Sequence, residues 1–203
     1  MSDHDHTEPP SDFELRVRAL ETLLSDRGLV DPAALDALID IAESKIGPRI
    51  GAKLVARAWV DFDYKRRLLE NAQDVAEELV DITGANVIVL ENTENLHNVI
   101  VCTLCSCYPF RLLGMSPGWY KSHAYRSRVV REPRKVLAEF GIDLPMSTEV
   151  RVWDSNAELR YFVLPRRPEG TEGWTEAQLE RLVTRNSMIG TGLALRPDEL
   201  EVA

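Results

Sequence analysis

Long apolar runs are missing from this sequence. The longest, such as Val87-Ile88-Val89-Leu90, hold four residues, far short of the roughly 20 that a bilayer-crossing helix needs. The N-terminal stretch MSDHDHTEPP is acidic and polar, with neither the basic start nor the apolar stretch of a secretory signal. Positive charge is scarce: 24 Lys and Arg face 33 Asp and Glu, for a formal net charge of −9. A protein that coats nucleic acid needs clustered positive charge to neutralise phosphates, so that class is set aside. Cysteine is scarce as well, with three residues, all inside Cys102-Thr103-Leu104-Cys105-Ser106-Cys107. A disulfide framework spreads an even number of cysteines over distant segments, which an odd, crowded set does not do. The expectation is a soluble, cytoplasmic protein that binds neither membrane nor nucleic acid.

What remains is a globular composition, 44% hydrophobic and 28% charged over 203 residues, enough for one domain or a domain with a smaller appendage. Residues 1–10 read as a flexible tail, with His4 and His6 solvated between acidic neighbours. Residues 11–83 read as a helical arm. Behind Asp12, Phe13, Val17, Leu20 and Leu24 recur at the helical period and stop at Gly28; Asp31-Pro32 restarts a helix with Leu35, Leu38, Ile39 and Ala42 on one face. Ile50, Leu54, Val55, Ala58 and Trp59 form a third stripe after Gly47-Pro48, and Asp63 opens a fourth carrying Leu68, Ala72, Val75 and Leu79. These stripes carry no chemistry-rich side chains and read as a packing or partner-binding arm.

After Gly84 the texture becomes that of a mixed α+β domain, residues 84–203. Strands are expected at Val87–Leu90, Val99–Val101, Glu149–Trp153 and Arg160–Leu164, with the polar turn Glu91–Asn95 between the first two. Helices are expected over Pro133–Phe140 and Thr175–Arg185, the latter opened by the capping-box pattern Thr175-Glu176-Ala177-Gln178. There is no internal repeat.

The second strand feeds directly into the cysteines. Cys105 and Cys107 flank Ser106, so their side chains fall on one side of a kinked backbone, and Cys102 reaches the same point from the preceding turn. A bound cation removes the thiol proton, so such a cluster is a metal site in waiting. An iron–sulfur cluster needs a fourth cysteine at another spacing. Structural zinc needs a distant fourth ligand, with His97 and His123 the nearby histidines. A redox pair wants C-x-x-C at the start of a helix, which the third cysteine and Pro109 fit poorly. The backbone offers another route: the amide nitrogens of Ser106 and Cys107 complete a square with two sulfurs, leaving the third axial. Deprotonating amides calls for a strongly Lewis-acidic, trivalent ion rather than zinc; its identity stays open at this point.

Val101-Cys102-Thr103-Leu104-Cys105-Ser106-Cys107 resembles the metal claw of the nitrile hydratase alpha subunit family, which also includes the thiocyanate hydrolase gamma subunit. The similarity continues through Leu90-Glu91-Asn92-Thr93, His97-Asn98-Val99, Trp119-Tyr120-Lys121, Tyr125-Arg126 and Arg131-Glu132-Pro133-Arg134. It then takes in Arg160-Tyr161, Leu164-Pro165 and Arg167 through Trp174, so it covers the second domain and, more loosely, the arm. The resemblance implies an α+β fold in which the helical arm precedes a layered α/β/β/α domain. It implies sulfur ligation by Cys102, Cys105 and Cys107 and nitrogen ligation by the Ser106 and Cys107 amides. Cys105 would be oxidised to sulfinate and Cys107 to sulfenate, with Cys107, Cys105 and Ser106 as the catalytic residues. Thr103 resembles the cobalt type, giving Co(III), where the iron type, with Fe(III), carries Ser.

The implied reaction is hydration of a small nitrile by water to the amide, with the Cys107 oxygen as nucleophile or as base toward water. The implied partners are a β-type subunit supplying arginines to the claw and a cobalt-delivering activator protein. Some residues depart from the family: Tyr108-Pro109-Phe110-Arg111 follows the claw where Thr-Pro-Trp-Pro is usual, and Met188 stands where a Cys is common. Tyr108-Pro109 is closer to thiocyanate hydrolase, the alternative activity, which converts thiocyanate to carbonyl sulfide and ammonia. Two non-enzyme readings stand beside these: a zinc-stabilised interaction module and a cobalt carrier. Plainer readings apply elsewhere. Arg126, Arg128, Arg131, Arg134 and Lys135 read as solvated or interface surface, Trp119 and Tyr120 as packing, and His97 as an anchor for its loop. Ser106 reads as a site residue, and Tyr108 as shaping the pocket or packing.

Overall fold

In the computed structural model, which describes residues 12–34, 47–78 and 86–201, four strands form where the apolar β-rich runs predict them. They are β1 (Asn86–Glu91), β2 (Leu96–Val101), β3 (Glu149–Asp154) and β4 (Leu159–Leu164). β1 pairs with β4 and β2 with β3, both in parallel, in two separate two-stranded sheets. The turn between β1 and β2 therefore joins two sheets and closes no hairpin. Thr93 donates its N–H to the Leu96 carbonyl (2.9 Å), while Asn92 N–H goes across to Leu164 (2.9 Å). Parallel strands are covered on both faces and read as continuous apolar runs; β2, buried from His97 to Val101, is such a strand.

The helices are α1 (Asp12–Asp26), α2 (Pro48–Val60), α3 (Phe62–Glu70), α4 (Ala72–Glu77), α5 (Phe110–Leu113), α6 (His123–Arg128), α7 (Pro133–Glu139), α8 (Glu176–Glu180) and α9 (Arg185–Ile189), with 3₁₀ turns at Gly118–Lys121 and Pro197–Glu201. α3 and α4 lie on β1, α9 lies on β4, and α2 packs on α5 and α8. α7 covers β3, and β2 meets β4 across the two sheets. This is the α/β/β/α layering that the resemblance implies. The core runs through it: Leu54, Val55, Val99, Ile100, Val101, Phe162 and Val163 are fully buried. At Gly51 a Cβ would sit 2.6 Å from the Met188 sulfur and 2.9 Å from the Leu112 carbonyl, so the close approach of α2 to α5 and α9 requires glycine there.

The chain falls into two compact units, residues 1–43 and 44–203. The division thus lies ahead of residue 84, where the sequence texture changes, because α2 to α4 bury Leu54, Val55, Tyr64, Leu68 and Val75 in the same core as the strands. In the first unit α1 ends before Gly28, whose φ of +65° stops it as expected. Residues 32–34 are helical, with Asp31 Oδ1 accepting from Ala33 N–H (2.9 Å). The 1–10 tail and Leu35, Leu38, Ile39, Ala42 and Leu79 lie outside the described residues.

The fourth expected stripe is two helices. Asp61, not Asp63, caps α3 by accepting from Tyr64 N–H (2.9 Å), and Asn71 breaks the stripe by capping α4 through Asp74 N–H (3.4 Å). A cap side chain competes for backbone donors and so starts a new helix wherever it stands. The expected Thr175–Arg185 helix divides the same way: its capping box forms at Thr175 and Gln178, and a second, at Thr184 and Ser187, opens α9. No described helix is long and apolar enough to cross a membrane.

Candidate metal centre

β2 delivers Cys102, fully buried, to the edge of the core. The chain then leaves the sheet: Cys105 and Ser106 are exposed and Cys107 is partly buried. The loop curls back so that Cys102 Sγ and Cys105 Sγ are 3.4 Å apart and Cys105 Sγ and Cys107 Sγ 3.2 Å apart. All three sulfurs lie within 4.8 Å of one another. Cys105 N–H points at Cys102 Sγ (3.2 Å). The three sulfurs thus gather around one point. Soft cysteine sulfurs at this spacing fit one transition-metal ion.

The loop is tied from outside at three places. Asp154, the last residue of β3, accepts from Thr103 N–H at Oδ1 (2.9 Å) and from the Thr103 hydroxyl at Oδ2 (2.5 Å). Arg126 Nη1 donates to the Cys105 carbonyl (2.9 Å), and the Tyr120 hydroxyl donates to the Cys107 carbonyl (2.9 Å). Tyr120 is fully buried in an aromatic cluster with Tyr108, Trp119 and Tyr125, at ring centroid distances of 5.0, 6.1 and 5.8 Å. Such edge and tilted contacts fix ring positions, and with them the hydroxyl that holds Cys107.

Electrostatics separates the outer two cysteines. The Cys107 thiol beside it, then Cys102 and the Ser106 and Cys107 amides, bring Cys105 down to about 7, toward the thiolate. Burial, reinforced by the Cys105 contact, pushes Cys107 up to about 12, against the opposing charge of Arg160. Thiols this close share protons poorly as separate acids; a cation among them converts all three to ligands.

The other expected residues find the following places. Ser106 is exposed on the loop beside the sulfurs. His97 lies within β2 rather than in a loop and anchors the turn before it: Nε2–H donates to the Gly190 carbonyl (2.7 Å), and Nδ1 accepts from the Asn92 amide (3.3 Å). Tyr108 is buried, its hydroxyl without a hydrogen-bond partner and its acidity lowered by burial. Trp119 packs against Tyr125 and Phe140 (4.9 and 4.7 Å). Of the basic run, Arg128 pairs with Glu132 and Glu139, and Arg134 donates to the Leu144 and Thr148 carbonyls.

Arg126 departs from its surface reading because it reaches the claw loop. Sequence reasoning also missed Asp154 and the hydroxyl of Tyr120 as loop anchors. The available signal for Asp154 was an acid closing a strand, and the pairing partner that gives it meaning is 51 residues away. Within the loop Leu104 is 88% exposed.

A convergent three-cysteine loop at the end of a parallel strand, in an α/β/β/α body, defines a class of metal-binding protein in which one short segment holds the ion. Comparison with known proteins narrows this class. A family model for the nitrile hydratase alpha chain matches residues 11–192. The low-molecular weight cobalt-containing nitrile hydratase subunit alpha of Rhodococcus rhodochrous is 51% identical over 197 residues, covering 95% of each chain. The thiocyanate hydrolase subunit gamma of Thiobacillus thioparus is 42% identical, covering 92% of this chain and 82% of its own. A solved double mutant of the Fe-type nitrile hydratase from Comamonas testosteroni Ni1 matches with a TM-score of 0.79 and 45% identity, over 94% of both chains. The chain belongs to the nitrile hydratase alpha-chain family.

Proposed function

We propose that this chain is the metal-bearing subunit of a nitrile hydratase, hydrating a small nitrile to its amide. The observation that carries the reading is the convergence of Cys102, Cys105 and Cys107 sulfurs within 4.8 Å at the outward end of β2. Their thiolates, with the Ser106 and Cys107 amide nitrogens, are the ligand set, and Co(III) is the ion. Similarity to a cobalt-containing relative supports that choice, with Fe(III) as its rival given the likeness to an Fe-type structure. When bound, the ion supplies Lewis acidity, polarising a nitrile or lowering the pKa of water.

The chain's own residues do the rest. Cys102 holds the buried side of the site and Tyr120 fixes the Cys107 carbonyl, so the Cys107 side chain keeps a constant aim. An oxygen on Cys107 would then either add to the nitrile carbon, opening one C≡N π bond onto nitrogen, with water releasing the amide and restoring that oxygen, or take the proton of an attacking water. Exposed Cys105 would carry the sulfinate and partly buried Cys107 the sulfenate, the first rungs of thiolate oxidation, with dioxygen or a peroxide as the oxidant. Ser106, between them, offers its hydroxyl to those oxygens. Their negative charge calls for arginine donors, which a β-type subunit brings when it covers the loop and its exposed Leu104; an activator protein delivers cobalt. The site assembles in the cytoplasm, where thiols stay reduced until the ion takes them.

Metal quantification together with mass analysis of the 102–107 peptide tests the reading. One equivalent of cobalt with oxidised Cys105 and Cys107 is expected, and one equivalent of zinc with unoxidised cysteines would overturn it. Tyr108-Pro109 favours a second reading, a thiocyanate hydrolase gamma-type subunit. Turnover of thiocyanate in preference to organic nitriles would move the assignment there.

A further inference from the structure

Within the 44–203 unit, a trough opens at the end of the sheets where β1 and β4 finish and β2 and β3 begin. Two adjoining cavities form it, of about 380 and about 530 Å³, and Asn92, Thr93, Pro165, Arg166 and Arg167 line both. The claw follows Val101 at the other end of β2, a strand of six residues and so about 17–20 Å long. The trough is therefore separate from the metal centre and from the loop that closes it.

Its two chambers differ in chemistry. The smaller is lined by Phe62 and Val60, 78% and 45% exposed, and Lys65 beside them is already paired with Glu91. The larger takes in Leu193, 58% exposed, and the carboxylates of Glu94, Asp143 and Glu169. Among the described residues these three carboxylates have no ion-pair or hydrogen-bond partner. The cations nearby are mostly committed: Arg196 pairs with Asp198 and Glu199, and Arg167 donates to Thr171 and to the Trp59 carbonyl (2.9 and 3.1 Å). That leaves Arg166 alone against three anions. Much of the backbone here has no donor to offer. The Asn92 and Thr93 N–H groups are spent on Leu164 and Leu96, and Pro145, Pro165, Pro168 and Pro197 have none. Recognition in the trough thus runs through side chains and not through strand addition.

We propose that this trough is a docking surface for an extended segment of a partner chain, one that carries Lys or Arg beside an apolar side chain. The cationic head sits among Glu94, Asp143 and Glu169, and the apolar side chain lies against Phe62 and Val60. Exposed apolar groups at the rim of a concavity mark interaction sites, and the surplus of unpaired carboxylates sets the sign of the partner. Side chains on one face of an extended segment stand about 6.5–7 Å apart, so one short segment reaches both chambers. The inference rests on the reading of the chain as a subunit, not on the ion that its cysteines hold.

The test titrates fluorescent peptides in which arginine and leucine alternate, with glutamate-for-arginine controls and free arginine amide, into the full chain, alone and co-purified with its partner subunit. Micromolar binding of the basic peptide to the chain alone is expected, weakening as salt rises and lost in the acidic control. The triple variant Glu94→Gln/Asp143→Asn/Glu169→Gln should bind about tenfold more weakly, the sum of several modest exposed ion pairs, and Phe62→Ser severalfold more weakly. All four positions are exposed, so each variant keeps the wild-type Tm. In the complex the seated partner segment blocks the peptide. The proposal is overturned by no binding at about 1 mM peptide, by equal binding of the acidic control, or by wild-type affinity in the triple variant or in the complex. Displacement by arginine amide at the peptide's own concentration also overturns it, in favour of a small organic cation. Self-association of the chain that the same substitutions abolish does so in favour of a second copy. A chain that takes up no cobalt strikes the hydratase reading instead, and the peptide titration still decides the docking.

Discussion

Replacing His97 with leucine tests the polar knot from which β2 starts toward the claw. The knot is closed: Asn92 Oδ1 accepts from Asn98 N–H (2.7 Å) and from the Asn98 side-chain amide (3.0 Å), while Asn98 Oδ1 accepts from Trp153 Nε1 (2.8 Å). His97 completes it with its bonds to Asn92 and Gly190 and is 3% exposed. Leucine fills much of the ring's volume but leaves the Gly190 carbonyl and the Asn92 amide without partners. Each orphaned buried group costs about 1–3 kcal/mol, so the pair costs roughly 2–6 kcal/mol. For a chain of this size that lowers Tm by about 5–20 °C.

A pH arm separates the imidazole's chemistry from its volume. Both ring contacts need the neutral tautomer, and burial holds His97 below its ordinary value of 6.5, against the weaker upward pull of the Gly190 bond. The unfolded chain therefore takes up a proton that the native chain resists. Wild-type stability is full above about 6.5 and is lost as pH falls from there through the native pKa. Contributions from Glu132, Glu139 and Glu149, whose arginine partners hold them below 4.5, fade in a lower window. Calorimetric or circular-dichroism melts between about pH 8 and 5 should show this slope in the wild type and a shallower one in His97→Leu. A variant that melts within a degree or two of wild type, with the same slope, refutes the reasoning.

Other substitutions probe the site and its support. Cys105→Ala and Cys107→Ala should each abolish cobalt retention and nitrile hydration, read by metal analysis and amide formation; full hydration by either variant would sink the assignment. Tyr120→Phe keeps the buried ring but removes the donor to the Cys107 carbonyl; the expected loss is about 1–3 kcal/mol of stability, read by denaturant melts, together with faster cobalt loss. Gly190→Ala forces a Cβ to 2.0 Å from the Asn98 carbonyl at a φ of +88°. It should lower Tm by more than any other single methyl addition, measured against Gly118→Ala, where a Cβ meets nothing within 4 Å.

How much of this was legible in the sequence differs by element. The strands were, because buried parallel strands write themselves as unbroken apolar runs, and Val99-Ile100-Val101 is fully buried. Their pairing was not: β1 and β2 are neighbours in sequence yet lie in different sheets, and nothing local distinguishes a turn within a sheet from one between sheets. Helix stripes were legible in type and less so in extent. Asp61, Asn71 and Thr184 each start a new helix inside or beside a continuous apolar periodicity. The cysteine cluster was legible, since six consecutive residues contain all three sulfurs that converge. Its supports were not, because Asp154, Tyr120 and Arg126 come from three later segments whose approach depends on the tertiary fold.

Those supports set an order of events during synthesis. The ribosome releases Cys102–Cys107 well before Asp154, which lies 51 residues beyond Thr103. At about 5–20 residues per second, that separation lasts about 3–10 s. Throughout this interval the nascent chain carries three neighbouring thiols with no β3 beside them and nothing to close the turn. They are then open to whichever ion or oxidant arrives first. Only when β3 has paired with β2 does Asp154 reach Thr103, so the loop gains its outside tie late, after the second strand of its sheet has docked.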